Sequence, residues 1–599
     1  MSRAMLLAAT LTLLTLMPGV PGPAAVAADA PAAPNAAGVA AHDDQVAQRA
    51  HVGLDPSAHG RVFAHEVIVT ANPLATEAGY RVLQAGGSAA DAAVAVQAVL
   101  GLVEPQASGL GGGGFITYYD AKTHRVRAYD GREKAPAGAT PDMFEDAQGH
   151  PLPFFTAVLS GRSCGVPGAV AALALLQREH GQLHWSALFG DAERLATDGF
   201  TVSPRLAMMI ASRVPQASTP DARRYFTRPD GSRYVAGDVL KNAAYAATLR
   251  LLAAQGVRAL YHGRIAADIV ARVHADPIPG TLSLADLAAY RPQESDALCR
   301  RWQGDRICEA PPPGGGIGVL EGLLLLEHTD IAQRNANDPI AWVELAEAEQ
   351  LMYADRDYYV GDPSFVHVPI EGLLDEAYVT QRAGLIGHAM PAMPPAPGHP
   401  PGALAFAADH TVEPGGTSEF IIVDRAGNVV SMTTTVESIF GDGRMVDGFF
   451  LNNQLTDFSF SPREPSGAPA ANAVAAGKRP RSAMSPTLVF DAHGHFLAST
   501  GSAGGPAIIS YVMKTLIGAL DWHLSMQAAI DLPNVVASGA RIAGEAGFPP
   551  ALLAGMADHG LDIRASRFEG SGIQGVLVQP DGHYEGAADP RREGTALGD

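Results

Sequence analysis

Cysteine is almost absent from this chain: three occur in 599 residues, Cys164, Cys299 and Cys308. That excludes a disulfide-built scaffold and leaves too few thiols for a zinc-ligand cluster. Positive charge is also scarce, with 42 Lys and Arg against 62 Asp and Glu and a formal net charge of −20. The longest basic run is Lys478-Arg479-Pro480-Arg481. A surface that neutralises phosphates needs Lys and Arg in clusters, so nucleic acid is not expected as a partner. Past the N-terminus no stretch reaches the roughly 18–20 unbroken apolar residues that crossing a bilayer takes. Among 20 histidines the only pair at i, i+4 spacing is His180 and His184, and Gly181 stands where a zinc protease places its glutamate. No metal and no cofactor is expected, and no internal repeat is visible.

Apolar residues, by contrast, make up 47% of the chain, enough for a large buried core. The N-terminus carries Arg3, an apolar run over residues 6–17, and the small-residue stretch Ala24-Ala25-Val26-Ala27-Ala28. That pattern predicts a secretory signal peptide over residues 1–27 and an exported protein, periplasmic or secreted. Residues 28–60 are rich in Ala and Pro and read as a disordered lead-in. A strand is expected over residues 67–71, a helix over 74–84, and a helix over 89–103 so rich in Ala and Val that it must be buried on most sides. The glycine run at 109–114 follows a helix and enters a strand, the reverse of a nucleotide loop, and reads as close backbone packing. Gly161-Arg162-Ser163-Cys164-Gly165 spells G-x-S-x-G, yet Val166-Pro167-Gly168 separates it from the next helix, so it reads as structural. If Gln303-Gly304 is a two-residue hairpin turn, Cys299 and Cys308 fall opposite each other at a non-hydrogen-bonded site. They are then either a disulfide or two reduced, half-buried thiols.

The chain's organising stretch is Gly415-Gly416-Thr417-Ser418-Glu419, which opens onto an apolar strand pattern at 420–423. A second such run at 429–435 follows a hairpin-like connection. Thr417 therefore falls where an irregular, Pro- and Gly-bearing segment meets a rigid strand. A threonine made N-terminal by cutting there has its own α-amine as the base for its hydroxyl. The bland alternative, a strand-edge threonine after a loop, fits the same residues.

Four further motifs follow in order: Thr433-Thr434-Thr435-Val436-Glu437, Asn452-Asn453-Gln454-Leu455-Thr456-Asp457, Arg479-Pro480-Arg481-Ser482-Ala483-Met484-Ser485-Pro486-Thr487, and Gly501-Ser502-Ala503-Gly504-Gly505. Together with the first, this series resembles the γ-glutamyltranspeptidases over roughly residues 60–590. The resemblance implies an α+β, four-layer αββα sandwich of the N-terminal-nucleophile hydrolase type, with additional helices. It implies cutting between Gly416 and Thr417, giving a large subunit (61–416 after the lead-in) and a small one (417–599) that stay together as a heterodimer. By that resemblance Thr417 becomes the nucleophile, Thr435 is a further catalytic residue, and Gly504 and Gly505 supply the oxyanion site. Arg132, in Asp130-Gly131-Arg132-Glu133, and Ser482 match binders of the substrate α-carboxylate; Asp457, Gln454 and Glu437 match the acceptors of its α-ammonium.

The implied reaction takes γ-glutamyl compounds such as glutathione and passes the acyl group to water or to an amino-acid or peptide amine. Two departures stand out. Ala483 replaces a serine common in the family, which removes one hydroxyl donor to the carboxylate. The loop at 460–477 carries no aromatic after Phe460, where lidded members have a tyrosine. A cephalosporin (glutaryl-side-chain) acylase and an inactive scaffold paralogue remain as alternatives.

Overall fold

The computed structural model describes residues 52–409, 411–413, 415–463, 467–565 and 570–599. The expected signal peptide, most of the lead-in and His410 lie outside these residues. Residues 52–60, assigned by composition to the lead-in, lie along the body: Gly53 N–H donates to the Asp531 carbonyl at 3.0 Å and Gly60 N–H to Glu585 at 2.7 Å.

Two seven-stranded antiparallel sheets form the centre. One runs, in spatial order, Thr595–Gly598, Val67–Thr70, Thr417–Val423, Val429–Thr435, Gly113–Asp120, Arg125–Asp130 and Gln293–Asp296. The other runs Arg61–Phe63, Tyr584–Ala588, Gln574–Val578, Phe496–Gly501, Thr487–Phe490, Asp305–Glu309 and Leu298–Trp302. We call the central strands Gly113–Asp120, Thr417–Val423 and Val429–Thr435 β1, β2 and β3. Successive side chains of a strand face opposite ways, and β2 shows the consequence. Ile421 and Val423 meet Leu488, Phe490 and Val576 of the facing sheet. Phe420 and Ile422 pack instead on helices that include Ala89–Val103 (α1) and Ala169–His180. On the outer face of the second sheet, Ile307 and Val489 pack on Gly316–Leu326, Pro339–Tyr359 (α2) and Ile508–Leu516 (α3). The order is helix, sheet, sheet, helix, as the motif series implied.

Local chemistry explains the elements that position the site. Every residue of α1 is buried, as its Ala/Val composition requires, and the Ser88–Asp91 capping box holds its start. The hairpin β2–β3 closes through Asp424, whose carboxylate accepts from the N–H groups of Ala426 and Asn428. The glycine run packs as expected: a Cβ on Gly112 would lie 1.9 Å from the Thr435 carbonyl oxygen. The helix that begins at Ile508 ends as α-helix at Leu516 and finishes in a π turn, Ile517–Asp521. Cys299 and Cys308 are directly paired in register, with Cα atoms 4.1 Å apart, and are disulfide-bonded.

Candidate active site

Thr417 is the first residue of β2, at one end of the inter-sheet layer, and is only 4% exposed. In register it faces Thr435, the last residue of β3. Its hydroxyl donates to Thr435 Oγ1 at 3.2 Å. Thr435 Oγ1 accepts a second bond from the Glu437 N–H (2.8 Å) and donates its own proton to the Gly416 carbonyl oxygen at 2.6 Å. The peptide bond that the sequence marked for cutting is thus bracketed by two hydroxyls, one next to it in the chain and one on its carbonyl. The Thr417 carbonyl is fixed from the other side by Arg592 Nη1 at 2.8 Å.

One pocket joins this pair to most of the remaining predicted residues: Arg132, Thr417, Thr435, Glu437, Asp457, Ser482 and Gly505 all line it. Arg132, on the segment leaving Arg125–Asp130, is buried and donates from Nη2 to Asp457 Oδ2 at 2.6 Å. Nε and Nη2 also donate to the carbonyls of Pro480 and Arg481. Gln454 and Asp457 sit on one 3₁₀ turn, Gln454–Asp457. Gln454 lies behind the pocket wall, donating from Nε2 to Asp457 at 2.7 Å and to Glu437. Burial raises the pKa of Glu437 well above the usual carboxylate range, and the charge of Asp457 adds to it. Burial also raises Asp457, with Arg132 pulling it part of the way back. Glu437 Oε1, Asp457 Oδ1 and Gln454 Oε1 are buried acceptors with no partner. A cation with several N–H donors is the group that satisfies such a cluster.

Gly504 and Gly505 form the turn that precedes α3, both with positive φ (137° and 58°). At Gly504 a side chain is excluded twice, by φ and by the Tyr511 ring 2.5 Å from where its Cβ would lie. Backbone N–H groups at a turn before a helix are suited to holding an oxyanion. Ser482 Oγ accepts from the Met484 N–H at 3.1 Å.

Sequence reasoning missed Glu413, Met484 and Ile508 in the pocket lining, and with Glu413 two arginines. Arg356 Nη2 donates to both Glu413 oxygens (3.2 and 3.1 Å), and Arg481 Nη2 to Glu413 Oε1 at 3.2 Å. Burial pushes the Glu413 carboxyl upward, but the two guanidinium groups outweigh it and hold it below its ordinary value. The one available signal was that Glu413 stands four residues before Thr417. Asp355 of α2 pairs with Arg382 at 3.0 Å. Ser163 of the G-x-S-x-G sequence is buried and donates to the Val158 and Ser160 carbonyls, both at 2.8 Å, as a structural serine does. His180 ends its helix.

A model of the γ-glutamyltranspeptidase family matches residues 75–599. The glutathione hydrolase proenzyme of Bacillus subtilis (strain 168) is 36% identical over 545 residues, 89% of this chain and 91% of that protein. The acylase ACY 1 proenzyme of Pseudomonas sp. (strain SE83) is 30% identical over 548 residues, 89% of this chain and 93% of its own length. Among solved structures, a cephalosporin acylase from Bacillus halodurans superposes with a TM-score of 0.79 at 27% identity, covering 92% of this chain and 99% of that one. The chain is thus similar to proteins named for different substrates, and its own family is settled by the match that spans nearly all of its folded part: the chain belongs to the γ-glutamyltranspeptidase family.

Proposed function

We propose that this protein is a self-processed γ-glutamyltranspeptidase and glutathione hydrolase with Thr417 as its nucleophile. The observation that carries the reading is the Thr417–Thr435–Gly416 contact, opening into a pocket lined by Arg132 and by two carboxylates, Glu437 and Asp457, each with an unpartnered oxygen. In the uncut chain Thr417 Oγ adds to the Gly416 carbonyl carbon, while the Thr435 hydroxyl supports the oxygen that gains charge. The hydroxyl proton passes to the Thr417 nitrogen as the peptide C–N bond breaks to leave an ester, and water then hydrolyses that ester, releasing Gly416 as a carboxylate and Thr417 with its hydroxyl restored and a free α-amine. The pieces 61–416 and 417–599 remain together as a heterodimer, because each contributes strands to both sheets. In turnover the α-amine takes the hydroxyl proton as Oγ attacks the γ-glutamyl carbonyl, then passes it to the leaving amine. Gly504 and Gly505 hold the oxyanion, Glu437, Gln454 and Asp457 hold the α-ammonium, and Arg132 and Ser482 bind the α-carboxylate. Water or an amine acceptor removes the acyl group.

The acidic acceptors separate this reading from that of a glutaryl acylase. A glutaryl chain has no ammonium, so binding it would leave Glu437 and Asp457 facing a further carboxylate in a buried site, which costs several-fold to several hundred-fold in affinity. Parallel assays with a γ-glutamyl anilide and a glutaryl-cephalosporin test the point: the anilide is expected to be turned over at least tenfold faster, and preference for the cephalosporin overturns the reading. Export to the periplasm or medium follows from the N-terminal sequence pattern. No described helix is long and apolar enough to cross a membrane.

A further inference from the structure

Glu413 occupies the pocket that holds the proposed nucleophile, although it belongs to the segment upstream of the cut. It stands four residues before Thr417 and lines the pocket with it. Its carboxylate is gripped by the Nε and Nη2 edge of Arg481 (3.4 and 3.2 Å) and by Arg356 Nη2. Both arginines are about 2% exposed and are anchored by other acids: Arg481 by Asp409 (3.1 Å), Arg356 by Asp357 (2.8 Å). Removing Glu413 leaves two guanidinium groups against two acids, a neutral set with one carboxylate-shaped gap. Arg132 is a poor sole anchor for a carboxylate, since its Nε and Nη2 are already committed to Pro480, Arg481 and Asp457. Ala483, where a second hydroxyl would have helped, has none to give.

We infer that Arg481, backed by Arg356, is a second anchor for the α-carboxylate of the donor, and that Glu413 holds its place until the chain is cut. The inference rests on the γ-glutamyl reading above. Before cutting, Glu413 is tethered on both sides and outcompetes any free carboxylate through its effective concentration. Cutting at Gly416 frees one side, and the substrate's carboxylate then exchanges with it. Glu413 remains a weak internal competitor, because Asp409, four residues upstream, stays bound to Arg481.

The test compares two donors, γ-glutamyl anilide and 4-aminobutyryl anilide, which keeps the ammonium and lacks only the carboxylate. In the cut Arg481→Leu protein, kcat/KM for the first is expected to fall about 10- to 100-fold, the usual worth of a hydrogen bond to a charged group, while the second changes less than about twofold. A parallel fall for both donors, or no fall for either, overturns the assignment. Because Arg481→Leu leaves buried acids unpaired and risks misfolding, Glu413→Gln gives an independent reading: KM for γ-glutamyl anilide drops at least twofold, and an unchanged or higher KM overturns it. If the unaltered protein turns over neither donor, the γ-glutamyl reading itself falls and takes this assignment with it.

Discussion

Arg132 and Asp457 sit 2.6 Å apart and buried, so each is the other's counter-charge. Deleting either outright strands a buried charge, which typically costs 3–5 kcal/mol. Arg132→Lys and Asp457→Asn are therefore the informative changes. Each is expected to lower kcat/KM for a γ-glutamyl anilide by about 10- to 100-fold while leaving self-cleavage intact, since the proposal has both hold the donor and not the Gly416–Thr417 bond. Gel analysis beside the kinetics checks this, and two uncut variants would make the pair structural. At this scale the sequence was informative where chemistry is local. Thr417, Thr435, Gly505, Glu437 and Asp457 lie in or beside recognisable stretches, and they converge on one pocket. The Glu413–Arg356–Arg481 cluster was not legible. Its members come from three separate segments, and nothing in the sequence marks which arginine a given carboxylate will meet. The same blindness affected Lys478 to Arg481, which looked like a basic run: both arginines and the lysine are buried, each satisfied by acids or carbonyls.

Periodicity and turn residues fixed several elements closely. The helix expected at 89–103 is Ala89–Val103, and the β2–β3 hairpin closes where Asp424 to Asn428 suggested, because alternation and an Asx turn are local properties. The two-residue turn at Gln303-Gly304 set the register that bonds Cys299 to Cys308. This bond closes a loop of about ten residues, for which chain-entropy arguments give about 2–3 kcal/mol. Reduction is expected to lower Tm by several degrees with kcat/KM unchanged, because the hairpin lies outside the pocket lining; thermal melts with and without reductant, beside an assay, decide it. Phe460 stacks on Phe144 with ring centroids 4.7 Å apart, in a side cluster that includes Phe458, and does not line the pocket. No aromatic follows Phe460 in residues 460–477, so water is expected to compete well with amine acceptors. At rising glycylglycine, free glutamate is expected to remain a major product; transfer product overtaking it at low acceptor contradicts this.

The order of the strands was beyond reach of the sequence alone, since pairing between residues hundreds of positions apart is a matter of packing and leaves no local trace. The αββα architecture was legible only through the motif series. The whole molecule also stores buried carboxylates away from the pocket pair: Glu133, Glu309, Glu349 and Glu419 each have a pKa raised to about 8, chiefly by burial. A carboxyl whose pKa is higher folded than unfolded takes up protons on folding. Its favourable share is complete below the ordinary value of about 4.5 and is lost as pH rises toward 8. Glu309, with Oε2 unpartnered and Oε1 accepting from Thr487 at 2.6 Å, is the cleanest probe. Glu309→Gln is expected to match the unaltered protein in Tm near pH 5 and to exceed it near pH 8, and a difference independent of pH refutes this. The central claim, that one hydroxyl both cuts the chain and turns over substrate, is tested most directly by denaturing gel and N-terminal mass analysis of the unaltered protein beside Thr417→Ala. Two fragments with the smaller beginning at Thr417, against a single uncut and inactive chain for the variant, is the predicted result; a Thr417→Ala protein that is cut at the same bond contradicts it.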